Sequence, residues 1–305
     1  MSPEARRVIF ANFFGALHYF LTVYIIAPYL AQFMSDSQVG LVYAGGALVS
    51  LLGFFAMPSL LVRVPLKHIV LGMSFVQLLI LLGLAIEPSA LILTALVIVL
   101  NALPALIGYT LDIFLEQSTV DEGSTGNTRG FFFMINNIAL VLSPLIIGLL
   151  LGQGDAYEQV FLFAAASLIP FLLLLFILLR YEPARTGSRP SLIKTFRCLF
   201  HSKDVVLGAL AHLVMLLFFS WVAIYIPLYL HSELGISWES LGWVFSVMLL
   251  PYVLLEYPVG ILADRYFGER ELMMIGFAIM GISLSLISFI TTPFVTLFLV
   301  LVLIG

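Results

Sequence analysis

Seven side chains able to exchange protons or to hydrogen-bond a solute stand inside long apolar stretches: Asn12, His18, Asn101, Asn136, Asn137, His212 and Glu256. A group of this kind at membrane depth is costly unless it faces protein or water, so each marks a functional pathway by default. Glu256 is the most informative. A carboxyl that is neutral in a dry state and ionised in a wet one couples proton movement to a change of state. The imidazoles can titrate or hydrogen-bond a solute, and the asparagines offer both donors and acceptors. Each also has a structural alternative: a neutral glutamic acid bonded to a neighbouring helix, a histidine satisfied by packing, an asparagine that joins two helices. Convergent catalytic groups do not stand out. The five histidines, His18, His68, His201, His212 and His231, show no metal-ligand spacing, and no carboxylate pair occupies one apolar helix face. That pattern argues against an enzyme and against a metal or other cofactor, and no filter loop or charge ring suggests a channel.

The elements that position these groups must be helices in lipid. Of 305 residues, 62% are hydrophobic and only 10% charged, with a mean hydropathy of +1.15. So few charges neither solvate a globular surface nor neutralise a phosphate backbone, which excludes a water-soluble enzyme and a nucleic-acid partner. The single cysteine, Cys198, allows no internal disulfide. Backbone amides cannot stay unpaired in hydrocarbon, so apolar runs of about 20 residues read as spanning helices. They fall near Val8–Phe33, Val39–Val62, His68–Ile86, Ala90–Leu115, Gly130–Leu151, Val160–Leu179, Val205–Leu230, Leu241–Ala263 and Glu271–Ile290, with a tenth beginning near Thr292. The first run is too long for a cleaved signal peptide and reads as a retained span.

All 13 lysines and arginines fall in alternate connections, whereas the intervening loops carry only acids, among them Asp36, Glu87, Asp155, Glu158, Glu233 and Glu239. Because cytoplasmic loops collect Lys and Arg, the N-terminus is expected in the cytoplasm, in a multi-pass protein of the plasma membrane. The chain also repeats itself. A shift of about 200 residues pairs Gly40 with Gly242, Val42 with Val244, Leu52 with Leu254 and Arg63 with Arg265, and brings Pro28-Tyr29-Leu30 near Pro227-Leu228-Tyr229-Leu230. The expected organisation is an N-terminal six-helix bundle over 1–180, a cytoplasmic linker over 181–203, and an incomplete second bundle over 204–305 holding helices 7 to 9 and part of a tenth. Two equal halves would need about 400 residues, so the sequence reads as C-terminally truncated. In the linker, Leu192, Ile193, Phe196, Leu199 and Phe200 interleave with Lys194 and Arg197, the pattern of a short interfacial helix.

At the turn after span 8 stands Gly260-Ile-Leu-Ala-Asp264-Arg265-Tyr-Phe-Gly268-Glu-Arg270. It resembles the G-x-x-x-D-R-x-G-x-R signature of the major facilitator superfamily, with the second glycine and last arginine displaced by one place. The corresponding first-half turn keeps Arg63 and Lys67 but lacks the glycine and the acid. The resemblance covers the whole chain and implies an all-α polytopic fold of two six-helix bundles, of which about nine to ten helices are present. It further implies a cytoplasmic gating motif of Gly260, Asp264, Arg265, Arg270, Arg63, Asp112 and Arg129, with a contact between Arg63 and Asp112. In span 5, Gly130, Ala139, Ser143-Pro144 and Gly148 follow, with Ala and Ser in place of two glycines, the pattern of antiporter members. Such small residues permit close helix approach and a proline kink. Span 4 carries Asn101 and no arginine, unlike the drug:proton antiporters of the family.

The function implied is secondary active transport of a small organic solute by alternating access, proton-coupled, with efflux favoured over uptake. Glu256, His18, Asn101, Asn136 and His212 are the expected substrate and proton pathway. The family places helices 3, 6 and 9 at the periphery, and in those spans only Gln77 and scattered serines are polar. The partners expected are a small-molecule substrate, protons and the lipid bilayer, with the protein a monomer. The absence of a buried Lys or Arg argues against a strongly anionic substrate. The alternative is a transport-inactive sensor or scaffold of the same fold.

Overall fold

The computed structural model describes residues 3–86, 88–118, 125–179, 202–255, 266 and 268–287. Among them the chain is helical throughout its apolar runs. The helices are α1 (Pro3–Val23), α2 (Ile26–Ala31), α3 (Asp36–Arg63), α4 (Leu66–Leu84), α5 (Ala90–Ser118), α6 (Thr125–Leu151) and α7 (Tyr157–Leu178). They are followed by α8 (Lys203–Ser220), α9 (Trp238–Leu254) and α10 (Glu269–Ile287). Among the described residues, seven helical stretches are long and apolar enough to cross a bilayer, and α1 and α2 together form the first of them. This is an integral, multi-pass membrane protein.

Two spans depart from the uninterrupted helices the sequence suggested, and each carries a proline beside its irregular turns. The first breaks at Tyr24 and Ile25, between α1 and α2. Pro28 lacks an N–H, so the Tyr24 carbonyl four residues back loses its helical partner, and the break falls at that point. The seventh continues past α8 through wide, π-type turns at Trp221–Tyr225 and Tyr229–Glu233 that flank Pro227, a local widening of the kind that absorbs a lost hydrogen bond. These are the two segments that the internal repeat pairs, and they touch: α2 packs against residues 221–228.

Residues 3–178 form one packed unit. α1 packs along α6 and α7, α3 along α5, and α4 against both α5 and α7. In lipid this association rests on close packing and on internal satisfaction of polar groups, because acyl chains are as apolar as the helices. Hydroxyls accordingly bond back to their own helices, Thr22 to His18 and Tyr19, Thr110 to Leu106, Ser143 to Ala139 and Ser167 to Ala164. Lys67, in the first turn of α4, donates to the Phe176 carbonyl at 2.6 Å and lies over the Phe176 ring, closing the end of α7. At the start of α3, Gln38 accepts a hydrogen bond from the Ser35 backbone N–H at 2.9 Å.

The second half is joined to the first chiefly by α9, which runs antiparallel along α6. Gly242 lies against Pro144 and Gly148, Ser246 donates to the Val141 carbonyl at 2.7 Å, and Asn137 donates to the Tyr252 carbonyl at 3.3 Å. The backbones are in direct contact at the glycines. A β-carbon on Gly242 would sit 2.6 Å from the Pro144 carbonyl oxygen, and one on Gly148 would sit 2.9 Å from that of Trp238. The small residues of α6 therefore meet a small residue on the facing helix, which permits the approach. The linker boundary at 180–201, the interfacial helix at Leu192–Phe200 and the tenth span from Thr292 lie outside the described residues.

Gly242→Val is expected to destabilise this arrangement by about 1–3 kcal/mol through overpacking. Thermal unfolding of the detergent-purified protein checks it: the midpoint falls well below that of Gly276→Val, whose β-carbon position on α10 has nothing within 4 Å.

Candidate functional site

Five of the polar side chains carried by the first unit converge on one cavity of about 330 Å³. Asn12 and His18 come from α1, Gln77 from α4, Asn101 from α5 and Asn136 from α6, and the walls are completed by apolar and aromatic groups including Tyr19, Phe132 and Phe171. The helical repeat explains the convergence on α1. Asn12, Gly15, Ala16 and Tyr19 recur at three- and four-residue intervals and so share one face. Pro104 and Gly108 on α5 stand beside Asn101 in the same wall.

The hydrogen-bond state of these groups divides them. Asn12 Nδ2 donates to Asn136 Oδ1 at 2.7 Å, tying α1 to α6 across the cavity wall. His18 Nδ1 is held by the Gly15 carbonyl, one turn earlier in its own helix. A carbonyl only accepts, so Nδ1 carries a proton, and Nε2 is the ring atom left toward the cavity wall. Among the described residues, His18 Nε2, both polar atoms of the Gln77 amide and Asn101 Nδ2 have no hydrogen-bond partner although all are buried. Gln77 is 0% exposed and His18 4%. Buried polar groups without protein partners are rare and normally served by water or ligand, and these four atoms combine donors and acceptors on the cavity wall. No lysine, arginine or carboxylate lines the cavity among the described residues.

The structure brings together His18, Asn101 and Asn136 of the expected pathway and leaves His212 apart, exposed on α8. An apolar run marks a span but does not say which face of its helix is covered, and His212 occupies an open one. Gln77 belongs to the cavity although its helix was assigned to the periphery; its amide in an otherwise apolar span was the available signal. Glu256 lies outside the described residues, as do Gly260, Asp264 and Arg265. Arg63 is exposed at the end of α3 and Asp112 half-buried on α5, and among the described residues no ion pair joins the two. Arg129 and Gly130 fall in the first turns of α6 and Arg270 in the first turn of α10. Ala139 and Ser143 are buried on α6, and Pro144 and Gly148 form the contact with α9. Of the aromatic residues near the cavity, Tyr24 is stacked on Phe245 of α9 at 5.8 Å between ring centroids.

The family model described as the Major Facilitator Superfamily matches residues 8–238 and 208–305. No curated protein matches the sequence significantly. Among solved structures, a bacterial homologue of the human lysosomal transporter Spinster, in an inward-facing and unoccupied conformation, superposes with a TM-score of 0.75 at 14% identity, over 100% of this chain and 73% of that one. The nucleoside transporter NupG gives 0.71 at 14% identity, over 99% and 78%. A peptide transporter, POT, in complex with alafosfalin gives 0.67 at 16% identity, over 98% and 78%. At these identities the likeness is one of fold.

Asn136→Ala leaves the Asn12 amide without its partner in the cavity wall, a loss of about 1–3 kcal/mol. In a double-mutant cycle read by thermal unfolding, Asn12→Ala and Asn136→Ala are expected to be strongly non-additive, with the double variant no less stable than the worse single one.

Proposed function

The chain belongs to the major facilitator superfamily, and from that premise we propose that it carries a small organic solute through the cavity of α1, α4, α5 and α6 by alternating access. The protein is a secondary transporter; the solute class, the coupling ion and the direction are our reading. The single observation that carries this reading is the set of unpartnered polar atoms on His18, Gln77 and Asn101, residues that line one cavity. A volume of about 330 Å³ is at the small end of ligand pockets, which run from about 300 to 1,000 Å³. Its lining favours an uncharged solute with hydroxyl or amide groups. An anion would find no compensating cation among the described lining residues.

We assign the N-terminus to the cytoplasm of a plasma membrane, from the placement of all 13 basic residues on one side. The face bearing residues 152–156 and 234–237 is then external, and the contact of α6 with α9 closes the outside. Transport is coupled to protons in this proposal, with Glu256 as the titrating carboxyl. It stands eight residues before Asp264 in the sequence, a separation equal to about 12 Å of helical rise, and the resemblance of α6 to antiporter members supports export in exchange for protons. The gating role of Gly260, Asp264, Arg265, Arg270, Arg63, Asp112 and Arg129 at the cytoplasmic face belongs to the same proposal.

Reconstitution in proteoliposomes with an imposed pH gradient tests the reading on the solute that the wild type moves in a screen of small neutral metabolites. Asn101→Leu and Gln77→Leu are each expected to raise KM about tenfold, the equivalent of roughly one 1.4 kcal/mol contact, with vesicle insertion unchanged. Glu256→Gln is expected to abolish the dependence of flux on the pH gradient. Wild-type KM in both leucine variants removes the cavity as the solute site, and gradient-driven flux in Glu256→Gln removes that carboxyl as the coupling group.

A further inference from the structure

His231 joins the two halves of the protein at the face opposite the N-terminus, in an arrangement the proposed transport site does not use. It stands in the last helical turn after α8, with its side chain 18% exposed. Its Nε2 lies 2.8 Å from Asp155 Oδ1, on the connection between α6 and α7, and its Nδ1 lies 2.9 Å from the Ile236 carbonyl oxygen. Both partners are acceptors. A neutral imidazole has a single N–H, so it can satisfy one of these contacts only by turning a lone pair toward the other oxygen. The imidazolium, with two N–H groups, satisfies both.

The surroundings agree with a cation. The imidazole lies on the Trp238 indole with 4.6 Å between ring centroids, where the electron-rich ring face favours positive charge. Asp155 Oδ1 also accepts from Trp238 Nε1 at 3.3 Å and from the Tyr157 hydroxyl at 3.4 Å. The other charged groups on the packed elements are Glu158 on α7, Glu233 on the same turn as the histidine and Glu239 on α9. Among the described residues none of them forms an ion pair with His231. The backbone continues the contact, since the Glu239 N–H donates to the Gly152 carbonyl at 3.0 Å, and the Gly148–Gly242 approach begins one turn deeper.

We infer that His231 is a proton-binding site that latches this face shut: a proton on the ring holds α6 and the end of α8 together through Asp155, and separation of α6 from α9 releases it. The inference rests on the proposed rocking of the two halves, and it concerns a proton separate from one carried by Glu256. Its sign follows from the donors. Closure is favoured while both ring nitrogens carry a proton, and weakens when one proton is lost.

The test is a distance measurement by double electron–electron resonance on full-length protein in nanodiscs. Spin labels are placed at Gln153 and Ser240, both exposed, in a Cys198→Ser background. The wild type is expected to show a closed and an open population. Their ratio shifts toward open between pH 5.5 and pH 8, by up to about tenfold per pH unit, the limit for one coupled proton. His231→Gln and Asp155→Asn are expected to lose this shift, and His231→Arg to stay closed at both pH values. Gel filtration of each variant as a wild-type-like peak establishes that it is folded. Two populations whose ratio ignores pH, or a wild-type shift retained in His231→Gln, overturn the latch and leave rocking intact. A single population at every pH and in every variant overturns both.

Discussion

The approach of α6 and α9 at Gly148 and Gly242 is the constraint on which the rest of the structure depends. Where a β-carbon on either helix would lie within 3 Å of the other's backbone, the two halves meet over glycine and proline. Their antiparallel register is then carried onward by the bonds from Ser246 and Asn137. In a bilayer no hydrophobic driving force separates a helix pair that fits from one that does not, so shape at the contact decides. Because α6 also supplies Asn136 to the cavity wall, one helix carries both the contact with α9 and part of the cavity.

The cavity shows why polar groups in such a chain are so few and so placed. Asn12 and Asn136 bond to each other in the wall, whereas His18, Gln77 and Asn101 keep unpaired atoms on residues that line the same cavity. On the proposed function the first pair serves packing and the second set recognition, although both kinds look alike as residue types. At the opposite end of α6 a different chemistry operates. Asp155, Tyr157, His231 and Trp238 combine a charge, a hydroxyl and two aromatic faces at the boundary of the spans, where an amphipathic ring can keep one edge wet and one face packed.

Much of the architecture is legible in the amino-acid order because lipid punishes unpaired backbone. Each described span lies within a few residues of an apolar run bounded by charge, glycine or proline. The repeat between Pro28 and Pro227 also has a counterpart in space, since α2 touches residues 221–228. Helix breaks were less visible; a proline announces a kink, but whether a span continues through widened turns is settled by its neighbours. The small residues of α6 signalled a close contact without naming Gly242 as its partner. His212 shows the limit of reading depth from sequence, since its rotational position on α8 leaves it exposed, and Gln77 shows the reverse, a polar side chain on a helix assigned to the periphery and fully buried in the site. The pairing of Asp155 with His231 joins residues far apart in sequence, and no local pattern encodes it.

The most direct test of the central claim, that the sparse buried polarity faces one intermittently hydrated cavity, compares two positions on the outer and inner faces of α5. In a Cys198→Ser background, Asn101→Cys and Val99→Cys are exposed in membranes to a small water-soluble methanethiosulfonate. The account predicts that the cysteine at 101 reacts, and that the transported solute slows the reaction, while the cysteine at 99, on the outward surface, stays inert in lipid. Reaction at 99 with none at 101 would contradict it.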